Sequence, residues 1–110
     1  MSIGPTIPLA RYIVRPGDTM WGIAMRFGVP FATLVRANPQ IADPSLIMVG
    51  DVINVPAAMI YTVQPGDTLW SIARRFGVSL SDLIDLNPHI ANPDVISVGE
   101  TVYVPFPPGF

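Results

Sequence analysis

The chain repeats itself. Residues 12–56 align with residues 61–105 at a constant offset of 49, without a gap, and 24 of the 45 paired positions are identical. The matches include Pro16-Gly17-Asp18-Thr19 with Pro65-Gly66-Asp67-Thr68, Arg26-Phe27-Gly28-Val29 with Arg75-Phe76-Gly77-Val78, and Asn38-Pro39 with Asn87-Pro88. Trp21 matches Trp70, Val49-Gly50 matches Val98-Gly99, and Val55-Pro56 matches Val104-Pro105. Self-similarity at a fixed period marks two copies of one supersecondary unit. The expected organisation is an extended segment (1–11), a first repeat (12–56), a short apolar linker (57–60), a second repeat (61–105) and a tail (106–110). Eight of the 13 prolines and six of the nine glycines stand at matched positions, so turn chemistry is part of what is duplicated.

Each repeat reads as strand, helix, helix, strand. Tyr12-Ile13-Val14 and Tyr61-Thr62-Val63 are short β-branched and aromatic runs that end at Pro-Gly, a turn signal. Thr19 and Thr68, or the Asp before each, can cap a helix. Met20, Ile23, Ala24 and Phe27 then follow helical spacing, as do Leu69, Ile72, Ala73 and Phe76. Trp21 and Trp70, beside that face, read as packing residues rather than sugar platforms. Gly28 and Gly77 suit the left-handed position that closes a helix. Ser79-Leu80-Ser81-Asp82 has a capping-box outline with Val78 and Leu83 as staple, and Pro30 replaces Ser79 in the first repeat. Asn38-Pro39 and Asn87-Pro88 stop the second helix. About 11 loop residues follow, then strands near 52–55 and 101–104. The class is α+β, with first and last strands paired in each repeat and two helices over one face.

Composition excludes several functions. Half of the chain is hydrophobic and only 13% is charged, against about 25% in an average soluble domain. The formal charge of −2 and the absence of Lys argue against a nucleic-acid partner, which needs a basic patch. There is no Cys, so disulfides, cysteine zinc sites and cysteine nucleophiles are excluded, and His89 is the single histidine. No metal or other cofactor is expected. The longest run without a charged residue, 52–66, has 15 residues and contains Pro56, Pro65 and Gly66, too short and broken to insert in a membrane. The first eight residues lack a basic start and a continuous apolar stretch, so no secretory signal is read there.

The ordered set Tyr-x-Val-x-Pro-Gly-Asp-Thr-x-Trp-x-Ile-Ala-x-x-Phe-Gly-Val, then Leu, Asn-Pro-x-Ile, Val-Gly and Val-Pro, occurs twice. It resembles the lysin motif (LysM) family and covers about 90 of the 110 residues. The resemblance implies a βααβ fold, with two helices stacked on a two-stranded antiparallel sheet. It also implies a non-catalytic module that binds N-acetylglucosamine polymers, peptidoglycan or chitin, in a shallow groove between two loops. Carried over to this chain, the first loop is Gly17, Asp18, Thr19 and Met20, or Gly66, Asp67, Thr68 and Leu69. The second is Asn38, Pro39, Gln40, Ile41 and Ile47, or Asn87, Pro88, His89, Ile90 and Ile96. Glycine permits close backbone approach to a sugar amide, and Met20, Leu69 and the Ile residues can line a slot for its methyl group. Asn38 and Asn87 also suit hydrogen bonds within their own loop.

Catalysis is not expected. Glycoside hydrolysis needs two carboxylates about 5–10 Å apart. Asp18 and Asp67 belong to different repeats, Asp51 and Glu100 suit turns, and Asp82 and Asp85 are read on the outer face of the second helix. Gln40 stands where the second repeat has His89, so no titrating histidine is common to both sites.

The linker Ala57-Ala58-Met59-Ile60 is too short and too apolar for a free tether, so the repeats are expected to pack through it on each other or on another chain. Units of about 45 residues are marginal alone. Ile3, Ile7, Leu9 and the tail Phe106-Pro107-Pro108-Gly109-Phe110 either dock on the repeats or fray. Two sites on one chain would bind a polymer bivalently, raising avidity by about 10²–10⁴ where geometry permits. The resemblance places such a chain at a cell wall, a spore surface or outside the cell. It also implies an alternative: a spore-coat or cell-envelope assembly protein acting mainly through protein contacts, including self-association.

Overall fold

The computed structural model describes residues 7–108. The order is β1 (Leu9–Ile13), α1 (Met20–Arg26), α2 (Phe31–Arg36), β2 (Val52–Pro56), β3 (Met59–Thr62), α3 (Leu69–Phe76), α4 (Leu80–Asp85) and β4 (Thr101–Val104). Each repeat is α+β with βααβ order, as the sequence implies. β1 pairs antiparallel with β2, from Leu9 opposite Pro56 to Ile13 opposite Val52. β3 pairs antiparallel with β4, from Met59 opposite Val104 to Thr62 opposite Thr101.

Alternation decides which face of each sheet is covered. Ala10 and Tyr12 point under the helices while Leu9, Arg11 and Ile13 stay exposed. The helices have six to eight residues, too short to persist without a packed face. Met20, Ile23, Ala24 and Phe27 are buried in the first repeat, and Leu69, Ile72 and Ala73 in the second. Trp21 and Trp70 depart from the expectation: they are 59% and 56% exposed. One position beyond Met20 or Leu69 is a rotation of about 100°, enough to leave a narrow apolar stripe.

The helix ends explain other differences. Thr19 and Thr68 cap α1 and α3 by accepting from the backbone N–H of Gly22 and Ser71, at 2.9 and 3.0 Å. The reciprocal capping box lies in α3, where the Thr68 backbone N–H donates to Ser71 Oγ at 3.0 Å. In α4, Ser79 does accept from the Asp82 N–H, but the Asp82 carboxylate turns to Arg26 of the other repeat, so that box is not closed. A guanidinium is a stronger partner for a carboxylate than a neutral backbone N–H.

Two cores are joined at a seam. Leu86 of the second repeat packs in the first core with Val14, Leu34, Ile53 and Val55, and Tyr103 and Phe106 lie against it. Arg15 and Arg26 pair with Asp85, and Arg26 also with Asp82. Asp82 and Asp85 therefore face the first repeat and not solvent, against the expectation. Contact between repeats runs mainly through α4, β4 and the start of the tail, rather than through the linker alone. The connection itself is only two residues long. The Ala57 N–H donates to the Pro8 carbonyl in one sheet, and the Ala58 N–H to the Val104 carbonyl in the other. Leu9-Ala10-Arg11 and Met59-Ile60, read as segment and linker, are strand residues, because each finds a partner backbone across its sheet. Ile3, Gly109 and Phe110 lie outside the described residues.

Candidate functional site

The first loop of each repeat is held by one aspartate. Asp18 Oδ2 accepts from the Tyr12 hydroxyl at 2.5 Å and from the Arg15 backbone N–H at 2.8 Å. Asp67 Oδ2 accepts in the same way from Tyr61 at 2.5 Å and from the Gln64 N–H at 2.8 Å. The Tyr61 hydroxyl bond first, then the Gln64 N–H, holds the Asp67 carboxyl below its ordinary value, and Arg75 adds to this. Burial, then the bond to Asp18, pushes the Tyr12 phenol up. Gly17 and Gly66 turn the chain at φ 86°, a left-handed conformation that favours glycine. Both carboxylates thus brace a turn.

In the second repeat that loop faces residues 93–96 across an open groove of about 500 Å³. Leu69 and Ile96 supply the apolar floor, Thr68 and Asp67 one edge, and Pro93, Asp94 and Val95 the opposite edge. Trp70, Leu80 and Ile84 complete the helical wall. The Arg74 guanidinium lies 4.7 Å from the centre of the Trp70 ring. Apolar walls with few polar groups suit a neutral ligand bearing a methyl group. Sequence reasoning missed Trp70, Leu80, Pro93 and Val95. The pairing of an exposed Trp with an exposed Val at 66% could be found only once the loop was placed.

The other predicted residues divide by location. Asn38 and Asn87 are 1% exposed and tie helix two to the last strand. Asn87 Nδ2 donates to the Leu83 and Tyr103 carbonyls, and its Oδ1 accepts from the Tyr103 N–H at 2.7 Å. Asn38 does the same with Leu34 and Asn54, and its Oδ1 also accepts from Gln40. Both side-chain amides are used internally, the role their loop position also suggested. Pro88 and His89 do not border the groove. They lie in a cleft at the seam, where His89 Nε2 meets the Thr101 carbonyl at 2.8 Å. Ile90 packs against the second core and borders the seam. Pro39 is exposed at the end of the first repeat's α2.

The first repeat keeps the frame but changes the wall. Phe31 replaces Leu80 and packs against Trp21, with ring centres 5.5 Å apart. Met20 is buried, and Ile41 and Ile47 lie partly buried on the first core. Gln40 and Ile41 border a separate shallow depression with Ala42, Asp43 and Leu46. Among the described residues no cluster of three or more His, Cys, Asp or Glu is arranged to hold a metal. No helix among them is long and apolar enough to cross a membrane.

The LysM domain model matches residues 12–56 and 61–105. The spore coat assembly protein ExsA of Bacillus cereus is 46% identical over 50 residues, 46% of this chain and 8% of that protein. The secreted LysM effector ECP6 of Passalora fulva is 38% identical over 52 residues, 47% of this chain and 22% of that protein. A LysM domain from Volvox carteri chitinase shares 45% identity, with a TM-score of 0.40, over 43% of this chain and 94% of that domain. The chain spans less than a quarter of the length of the curated relatives it matches. With both repeats matched in full, the chain belongs to the LysM domain family.

Proposed function

We propose that this chain is a non-catalytic, bivalent binder of cell-wall glycans, acting at a cell wall, a spore surface or outside the cell. LysM domains are binding modules for glycans containing N-acetylglucosamine, peptidoglycan and chitin among them. The observation that carries the reading is the second-repeat groove, where Leu69, Trp70 and Ile96 form an apolar slot beside the capped turn at Thr68. Such a slot takes the methyl of an N-acetyl group while nearby backbone groups address its amide. The first repeat repeats the turn and the exposed Trp, which supports a second point of attachment. Titration with chitin oligomers of four to six sugars tests this. Amide shifts at Leu69, Trp70 and Ile96 are expected, and no heat and no shifts would sink the reading.

Protein assembly is a second reading, favoured by one observation. Leu46 and Met48 in the first repeat's long loop are each 71% exposed, and the neighbouring Val49 is 64% exposed. Similarity to a spore coat assembly protein agrees with it. Size-exclusion chromatography discriminates: an oligomer that chitin fragments leave intact supports assembly, and a monomer counts against it.

A further inference from the structure

A cleft of about 540 Å³ lies apart from the sugar groove. It opens between the outer face of the first sheet and the last strand of the second repeat. Leu9, Ile13 and Val52 give it an apolar wall, while Arg11, His89 and Tyr103 bring polar groups. The apolar three are 44–48% exposed, so the wall is open.

Its composition is unlike the rest of the protein. The chain has eight acidic residues and six arginines, yet no Asp or Glu borders this cleft. Among the described residues Arg15, Arg26 and Arg75 are paired with carboxylates and Arg74 lies over Trp70. Among the described residues Arg11 and Arg36 have no such partner, and of these two only Arg11 borders the cleft. His89 Nε2 donates to the Thr101 carbonyl, which turns the imidazole edge-on to Tyr103, with ring centres 6.1 Å apart. A cleft lined by an unpaired guanidinium, an imidazole and a tyrosine, with no carboxylate of its own, is complementary to a carboxylate.

The duplication makes the cleft more telling. Arg11 stands where the second repeat has Ile60, and Ile13 where it has Thr62. His89 and Tyr103 replace Gln40 and Asn54. Apart from Pro88, which matches Pro39, the cleft is built from positions at which the repeats differ, and it exists only because they are joined. It also lies on the same side of the seam as a crevice that borders the sugar groove. That crevice shares Ile84 and Pro93 with the groove, and Ile13 and Pro88 with the cleft.

We propose that this cleft is a second binding subsite, which takes the carboxylate of a short peptide carried by the glycan, with Arg11 as its anchor. This rests on the glycan-binding reading and selects peptidoglycan, whose sugars carry acidic peptides, over chitin, which is neutral. Small apolar side chains of the peptide lie along Leu9, Ile13 and Val52.

The test uses the full chain with four probes: a chitin tetramer, a disaccharide-tetrapeptide from peptidoglycan, the N-acetylated tetrapeptide alone, and that tetrapeptide with its carboxyls amidated. The two acid-bearing peptide probes should shift the Arg11 side-chain N–H and the Thr101 and Tyr103 amides, and the amidated one should not. The disaccharide-tetrapeptide should bind about two- to fivefold more weakly to Arg11→Gln than to the parent, the size of one partly exposed charge contact. That difference should shrink in high salt. His89→Gln should weaken the same probe. Arg11→Gln should leave chitin-tetramer binding unchanged, because Arg11 is outside the groove. Unmoved Arg11 and Tyr103 signals, or equal binding by Arg11→Gln, overturn the subsite. Failure of the tetramer to shift Trp70 and Ile96 overturns the glycan reading instead, and the free tetrapeptide still reports on the cleft.

Discussion

Arg15 and Asp85 lie 70 positions apart and meet in a two-pronged ion pair, Nη1 to Oδ2 at 3.0 Å and Nη2 to Oδ1 at 2.5 Å. Arg26 donates to the same carboxylate from the side. The Asp85 side chain is 8% exposed, so its charge has left water and depends on these two guanidinium groups. The counterparts of Arg15 and Asp85 in the other repeat are Gln64 and Arg36. The pair can therefore form in one direction only, and it gives the two units a single arrangement.

That pair is expected to set the acid limit of the molecule. Burial opposes ionisation of Asp85, but the hydrogen bonds from Arg15 and Arg26 outweigh it and hold the carboxyl below its ordinary 3.8. A depressed folded value stabilises the fold above the unfolded value and loses that stabilisation as pH falls through the folded one. Asp85→Asn should cost about 1–2 kcal/mol at pH 7, less than a fully buried pair, because the Arg15 side chain is 57% exposed and screened by solvent. The difference from the parent should shrink below about pH 4. Urea titrations at pH 7 and pH 3 measure both.

Asn87→Ala should be more damaging. It strands the Leu83 and Tyr103 carbonyls and the Tyr103 N–H, all near the second core. Buried groups left unpaired cost about 1–3 kcal/mol each, so a loss of about 2–4 kcal/mol is expected, partly relieved by water. Asn87→Asp should not rescue it, because a carboxylate has no N–H to donate. Thermal unfolding of the three proteins checks this.

Shortening the chain to residues 12–105 should destabilise the first repeat more than the second. The cut removes Leu9, Ala10 and Arg11, which pair with Pro56, Val55 and Asn54. It also removes Phe106, which lies against the first core and 3.9 Å from the Cβ position of Gly28. Phe106→Ala alone should cost about 1–2 kcal/mol, less than a fully buried Phe. Hydrogen exchange resolved by repeat distinguishes the two losses. Equal protection in both repeats would contradict the tail's docking.

Trp70→Ala should weaken binding of chitin oligomers about three- to tenfold, the scale of one aromatic contact, and leave stability nearly unchanged. Trp21→Ala should spare short oligomers held in the second groove but lower retention on long polymer. Calorimetry with short oligomers and pull-down on insoluble glycan separate these effects. Loss of short-oligomer binding in Trp21→Ala would put the stronger groove in the first repeat.

Local structure was legible because it depends on short-range chemistry. Glycines at 17, 28, 50 and their partners all adopt positive φ, as turn and helix-end positions demand. Thr19 and Thr68 cap α1 and α3, as their place after Gly-Asp suggested. The site was only half legible. Gly66-Asp67-Thr68-Leu69 is contiguous, so its turn could be read directly. The facing edge at residues 93–96 comes from a loop without periodicity, and choosing between it and residues 87–90 required the loop's path.

The sequence by itself determined the two βααβ units, since their turns, caps and apolar stripes are repeated almost position by position. The tertiary structure decided what lies between them. Residues that differ across the duplication, Arg15, Asp85 and Leu86 at the seam and Arg11, His89 and Tyr103 in the cleft, carry no local signal of their partners. Their partners are tens of residues away, and only the docking of one unit on the other brings opposite charges and apolar faces within contact distance.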